Sequence, residues 1–361
     1  MFSVFVAKGF MTNFNIPSRL SVGDKVAIVS PSSGCAGLFP WVYELGLQRL
    51  RDEFGLIPVE FPTTLQTPDY LAQYPQARAQ DINDAFANPE IKAIISTAGG
   101  YDEVRILPYL NAQEISNNPK IFLGYSDNAN IHTYLYKLGM VSYYGCSVMS
   151  QLAMQGCMHE YTKKYVKKVL FELSIGQIDN SPEWTDFDLD WADKTNLTKT
   201  RPMEKSPGWV WQNTQGKKIT GRLFGGCLEI LEMHLAINSY LPNDNQFDDM
   251  VLYLETSEEM PTAGFVYRFF LALAQRGLLQ RIRALLISIP KAQFMGKMPT
   301  EGRNEFITNQ RHAVNKSLQD CQVAELPVVF NLHFGHVDPQ LIIPNGGMVT
   351  IDGIQEKIFF E

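Results

Sequence analysis

The sequence predicts an α/β protein built in two domains, and three observations carry that prediction. Short apolar runs of strand character alternate with helical patterns from Lys25 to Asn130. The alternation breaks at a polar, Trp-rich stretch and resumes from about Ile219. At 361 residues, the chain is longer than one ordinary domain. Strands alternating with helices imply a parallel sheet covered on both faces, and such sheets bind ligands beyond the carboxyl ends of their strands.

In chain order, Pro17 to Asp24 is a turn-rich approach to the strand run Lys25–Ser30, which ends in the loop Pro31-Ser32-Ser33-Gly34. Val42, Leu45, Leu47 and Leu50 mark a helix, and Ile57–Phe61 a second strand. A helix with Ala77, Ile82, Ala85 and Phe86 inward leads to the strand Ile91–Ser96 and the loop Thr97–Tyr101. A further helix through Val104, Ile106, Leu107 and Leu110 precedes Ile121-Phe122-Leu123-Gly124, after which Ser126 opens a helix through Ile131, Leu135 and Leu138. The three loops after these strands are expected on one edge of the sheet. Helical pattern runs from about Met149 to Leu173.

Residues 175–218 are polar but carry Trp184, Trp191, Trp209 and Trp211, too aromatic for a disordered linker. They read as an ordered, strand-poor crossover. Beyond it, Leu223–Glu229 opens a helix through Ile230, Met233 and Ile237, followed by the strand Met250–Glu255, a helix over Phe265–Arg276 and the strand Ala284–Ile289. A helix through Ala313 and Leu318, the strand Val328–Leu332 and a closing hairpin around Asp352-Gly353 complete the chain. The expected division is an extension over 1–16, a first domain over 17–174, the crossover over 175–218 and a second domain over 219–361.

Composition excludes several classes. Hydrophobic residues at 45% and charged residues at 19% describe a soluble globular protein, and a net charge of −7 with no basic stripe argues against a nucleic-acid partner. Five cysteines, odd in number and without a CxxC pair, fit a reducing cytoplasm and give no metal-site spacing. The apolar Met1–Met11 stretch is short and has no basic leader, so it is not taken as a signal peptide, and translation starting at Met11 is an alternative. No other run approaches the length of a membrane span. Neither GxxxxGK[ST] nor GxGxxG occurs in the strand–helix units, so a nucleotide cofactor has no support.

The chemistry candidates lie at strand ends. Ser126, two residues after Gly124, is either an N-cap or a nucleophile exposed on a sharp strand-to-helix turn. Gly99-Gly100 is either an ordinary turn or a close backbone approach with an N–H for an oxyanion. His333 and His336 both follow the strand Val328–Leu332, and the residues alone do not separate them as a base. Glu255 ends a strand and could orient an imidazole. Glu258 and Glu259 follow it in a loop that reads equally as a solvated acidic turn.

Taken together, these motifs resemble the LD-carboxypeptidase family of serine peptidases, which includes the microcin C immunity peptidases. The resemblance runs from about Pro17 to Ile351. It rests on Leu20 with Gly23-Asp24, Ser30–Gly34, Gly99-Gly100-Tyr101 with Arg105, Gly124-Tyr125-Ser126-Asp127, Gly225-Gly226, Leu254-Glu255 and Gly335-His336. It implies an N-terminal parallel-sheet, flavodoxin-like domain plus a C-terminal mixed α/β domain, with the active site at their interface. It implies Ser126 as nucleophile, His336 as general base and acid, Glu255 as orienter, and the N–H groups of Asp127 and Gly100 as the oxyanion hole. No metal or organic cofactor is implied, and a homodimer is, since members are commonly homodimers. The substrate would be a peptidoglycan-derived LD-peptide or a microcin-like aminoacyl-nucleotide, met by Tyr101, Trp209, Trp211 and Glu258. Gly208-Trp209-Val210-Trp211 looks closer to the microcin-immunity branch, where an aromatic residue stacks on the nucleotide-like part. The chain departs from the family at Cys146 (often Pro), Cys227 (often Asn) and Thr256 (usually Asp), which bears on the pocket rather than on Ser126, Glu255 or His336. The competing reading is a two-domain small-molecule binding protein that keeps the shape without turnover.

Overall fold

The strands pair into two large sheets and a small third one of two short strands in the crossover, Glu183–Trp184 against Glu204–Lys205. A computed structural model describes residues 14–361, so the Met1–Met11 stretch lies outside the described residues. The strands are β1 (Lys25–Val29), β2 (Ile57–Glu60), β3 (Ile91–Ser96), β4 (Ile121–Gly124), β5 (Ser142–Tyr144), β6 (Gly176–Ile178), β7 (Glu183–Trp184) and β8 (Glu204–Lys205). They continue with β9 (Val210–Gln212), β10 (Lys218–Cys227), β11 (Met250–Glu255), β12 (Ala284–Ser288), β13 (Val328–Leu332), β14 (Ile343–Asn345), β15 (Met348–Asp352) and β16 (Lys357–Phe360).

The first sheet has the order β14-β5-β4-β3-β1-β2. Its strands β1 to β5 are parallel, and β14 joins β5 antiparallel. The second has the order β6-β16-β15-β10-β11-β12-β13-β9, with β10 to β13 parallel at its centre. Strands β11, β12 and β13 are largely apolar because helices or the other domain cover both faces. Each fully buried Ile, Leu or Phe there contributes roughly 1.5–3 kcal/mol.

The chain crosses between the sheets more than the sequence suggests. The crossover supplies both outer strands of the second sheet, β6 and β9, and β14 returns from the C-terminal region to the first. A single apolar cluster then runs through both halves, joining Leu123, Tyr144 and Met149 to Val251, Tyr253, Leu286 and Val329. In β10, Gly225-Gly226 allows this contact: a Cβ on Gly226 would lie 3.1 Å from Ala129 Cβ and 3.1 Å from Tyr144 Cε2.

Two helices differ from expectation. The turn over Glu103–Tyr109 is 3-10 rather than α, because Pro108 sits inside it and has no N–H to give. The pattern from Met149 breaks after a π turn over Val148–Leu152, and an α-helix forms only over Glu160–Phe171. Between them Gly156 takes φ +73°, and Arg49 donates to the carbonyls of Leu152 and Gly156 that a helix would have used. The C-terminal hairpin forms as β15 and β16, with Asp352 opposite Lys357.

Candidate active site

The carboxyl ends of β3 and β4 face those of β11 and β13. After β4 the backbone turns sharply at Ser126, whose φ of +64° lies in the left-handed region that a non-glycine residue rarely takes. The turn presents Oγ to the cleft while the Ser126 N–H donates to Tyr144 Oη at 3.1 Å. Gly99 presses against it: a Cβ there would lie 2.7 Å from Ser126 Cβ and 2.9 Å from Oγ. The backbone N–H groups of Asp127 and Gly100 have no internal acceptor among the described residues.

The Asp127 side chain points the other way and holds the loops together. It accepts from Ser32 Oγ (2.5 Å), the Glu103 N–H (2.9 Å) and Asn130 Nδ2 (2.8 Å). Burial raises its pKa, against the hydrogen bond from Ser32. Glu103 accepts from Asn128 Nδ2 and the Ile131 N–H, and burial, then the nearby Asp127, pushes its pKa well above 4.5. Beneath them, fully buried Arg78 donates to the Pro31 carbonyl (2.9 Å) and forks onto Asp102 (2.8 and 3.1 Å).

The second half of the site comes from the other sheet. Glu255, the last residue of β11, accepts from Tyr144 Oη on Oε1 at 2.5 Å, and its Oε2 lies 2.7 Å from His336 Nδ1. Gly335, at φ +75°, makes this possible, since a Cβ there would lie 2.3 Å from Glu255 Cγ and Cδ. Gln340 Nε2 donates to the Gly335 carbonyl at 2.5 Å and fixes the loop. His336 Nε2 is 3.0 Å from Ser126 Oγ, and the Tyr125 ring meets the imidazole edge-on at 5.1 Å.

Glu258 Oε2 also lies 3.0 Å from His336 Nε2. Burial disfavours charge on His336, but Glu255 and Glu258 outweigh it and hold its pKa well above 6.5. Burial likewise opposes the Glu258 charge, and His336 overrides it, bringing Glu258 to about 2. Tyr144 is raised well above 10, by burial and then by Glu255, and so stays a donor. Such a chain can pass the Oγ proton to Nε2, stabilise the resulting imidazolium through Glu255, and offer two backbone N–H groups to an oxyanion.

The family model described as LD-carboxypeptidase N-terminal domain matches residues 26–145, and that described as LD-carboxypeptidase C-terminal domain matches residues 220–351. The chain belongs to the LD-carboxypeptidase family of serine peptidases. As a member it is a serine-type hydrolase of the carboxypeptidase class. It is 24% identical to the microcin C7 self-immunity protein MccF of Escherichia coli, over 93% of each chain. It is also 24% identical to a Bacillus subtilis protein named "Probable murein peptide carboxypeptidase", over 98% of this chain and 96% of that one. Among solved structures, an MccF-like protein from Streptococcus pneumoniae in complex with AMP superposes with a TM-score of 0.82 at 29% identity, covering 94% of this chain and 99% of that one.

Within this member of the family, the remaining sequence candidates separate. His333 is buried, with Nε2 3.3 Å from Ser206 Oγ, and burial lowers its pKa to about 4. Tyr101 stands 75% exposed at the rim, and Glu259 is exposed. Trp209 and Trp211 meet edge to face at 5.9 Å and pack on the apolar cluster between the sheets; the contacts that hold them are not with Ser126, Glu255 or His336. Sequence reasoning missed Tyr144 and Gln340. Tyr144 carried one usable signal, a polar-tipped residue at a strand end just before Gly145.

Proposed function

We propose that the chain is a serine peptidase or amide hydrolase that works through an acyl-enzyme, with Ser126 as nucleophile, His336 as base and acid, and Glu255 as orienter. The observation that carries this is the unbroken chain Ser126 Oγ–His336 Nε2 (3.0 Å) and His336 Nδ1–Glu255 Oε2 (2.7 Å), assembled from two sheets. Neutral His336 takes the Ser126 proton as Oγ attacks the scissile carbonyl. The oxyanion meets the N–H groups of Asp127 and Gly100, each worth about 10²–10³ in turnover at such sites. Imidazolium then protonates the leaving nitrogen, and water, deprotonated by His336, releases the acyl group.

The substrate is a small amide: an LD-peptide from peptidoglycan or an aminoacyl-nucleotide. The AMP named with the Streptococcus pneumoniae relative supports a nucleotide-bearing substrate, and the Bacillus subtilis relative's name supports a murein peptide. A homodimer and a cytoplasmic location belong to the same reading; among the described residues no helix is long and apolar enough to cross a membrane. The test supplies a tetrapeptide muropeptide and an aminoacyl-sulfamoyl-adenosine separately and follows release of D-Ala or the amino acid. Hydrolysis of one, lost in Ser126→Ala, is the expected result. Hydrolysis of neither removes both substrate readings.

A further inference from the structure

The proposed base has a second carboxylate in its way. Glu258 Oε2 and Ser126 Oγ are each 3.0 Å from the same nitrogen, His336 Nε2, so they lie within about 6 Å of one another. While Glu258 pairs with Nε2, the imidazolium is the stable form and the site has no base. Deprotonating His336 would leave Glu255 and Glu258 as two carboxylates on one neutral ring, a costly arrangement in a largely closed site unless another cation is present.

Among the described residues, the surroundings do not supply that cation. Lys291, from the loop after β12, faces Glu258 but is already 2.7 Å from Asp188 Oδ2 and 3.1 Å from the Asp186 carbonyl. Cys35, Tyr101 from the loop after β3 and Tyr125 from the loop after β4 also feel Glu258, and none of them is cationic. Glu259, beside it in the same loop, adds negative charge near Tyr101. The Glu258 side chain is 30% exposed, so a ligand can reach it.

We propose that Glu258 receives a free ammonium on the carbon next to the scissile carbonyl, and that this ion pair releases His336 to act as base. A carbonyl carbon poised for attack lies about 3–3.5 Å from Ser126 Oγ. A substituent one carbon further therefore falls in the space that Oγ and the Glu258 carboxylate share. On binding, the ammonium takes over the Glu258 charge, and the Nε2 proton leaves to solvent, so charge balances. The substrate class is then an aminoacyl compound with an unblocked amino group, and a peptide whose scissile residue is N-acylated is disfavoured. This rests on the serine-hydrolase reading of the same site.

The experiment compares alanyl-sulfamoyl-adenosine with its N-acetyl derivative in wild type and Glu258→Gln, across pH. Wild type should prefer the free amine by roughly ten- to hundredfold in kcat/KM, as a charged hydrogen bond would give. Glu258→Gln should lose that preference and move the acid limb of the N-acetyl profile to lower pH. Equal cleavage of both compounds by wild type, a preference that survives in Glu258→Gln, or cleavage of neither overturns the proposal. Labelling of Ser126 by a fluorophosphonate probe, run in parallel, keeps the two readings apart: if labelling persists while the preference is absent, only the ammonium assignment falls.

Discussion

Removing the Tyr144 hydroxyl is the most informative single change, because that one oxygen touches both halves of the site. It donates to Glu255 Oε1 and accepts the Ser126 N–H at 3.1 Å. In Tyr144→Phe, Glu255 keeps its contact with His336 but loses a hydrogen bond to a buried charge, worth about 1.5–3 kcal/mol. A carboxylate with one fewer donor is more basic and holds the imidazolium more tightly, so the pKa of His336, already above 6.5, rises further. The base is the neutral form, so the fraction of active enzyme at neutral pH falls. If most of that energy reaches the imidazole, kcat/KM at pH 7 drops roughly ten- to hundredfold, at 1.36 kcal/mol per pH unit. The acid limb of the profile should move up by about one to two units, and part of the loss should return at alkaline pH. The assay is a kcat/KM profile for both proteins, with circular dichroism to confirm the fold. A variant within twofold of wild type at every pH, with an unmoved limb, refutes the role given to Tyr144.

Other changes test neighbouring parts of the site. Ser126→Ala and His336→Ala should each reduce kcat by about 10⁴-fold or more with an unchanged circular dichroism spectrum, and near-normal turnover in either rejects the assignment. Gly335→Ala places a Cβ 2.3 Å from Glu255 Cδ at φ +75°; it should cost about 1–2 kcal/mol in denaturant unfolding from backbone conformation alone and reduce kcat/KM about a hundredfold. Gly99→Ala puts a Cβ 2.7 Å from Ser126 Cβ and 2.9 Å from Oγ, so kcat should fall at least about tenfold and denaturant unfolding should show an overpacking cost of about 1–3 kcal/mol. Wild-type kcat/KM itself should climb with pH through a midpoint above 6.5, because His336 must lose a proton that Glu255 and Glu258 retain; a profile already flat at pH 6 contradicts this.

Much of this architecture could be read from the chain because its signals are local. The runs Lys25–Val29, Ile91–Ser96 and Met250–Glu255 are mostly apolar, as strands covered on both faces must be, and each ends close to where its pattern changes. Short strands such as β5 and β14 were not legible, because three residues carry too little periodicity and their place is fixed by a partner some two hundred positions away. The same limit hid Tyr144 and Gln340, whose roles depend on meeting Glu255 and Gly335 across the sheets. The choice between His333 and His336 turned on geometry in the same way. The residues alone left it open, whereas the left-handed Gly335 carries His336 onto Glu255 and leaves His333 buried against Ser206.

The central claim is that Ser126 forms a covalent acyl intermediate inside a site completed by the second sheet. Mass spectrometry of protein quenched during turnover of an aminoacyl-sulfamoyl-adenosine tests it most directly. The account predicts an added mass equal to the acyl group, confined to the peptide containing Ser126 and absent from Ser126→Ala. An adduct on another residue, or turnover that continues in Ser126→Ala, contradicts it.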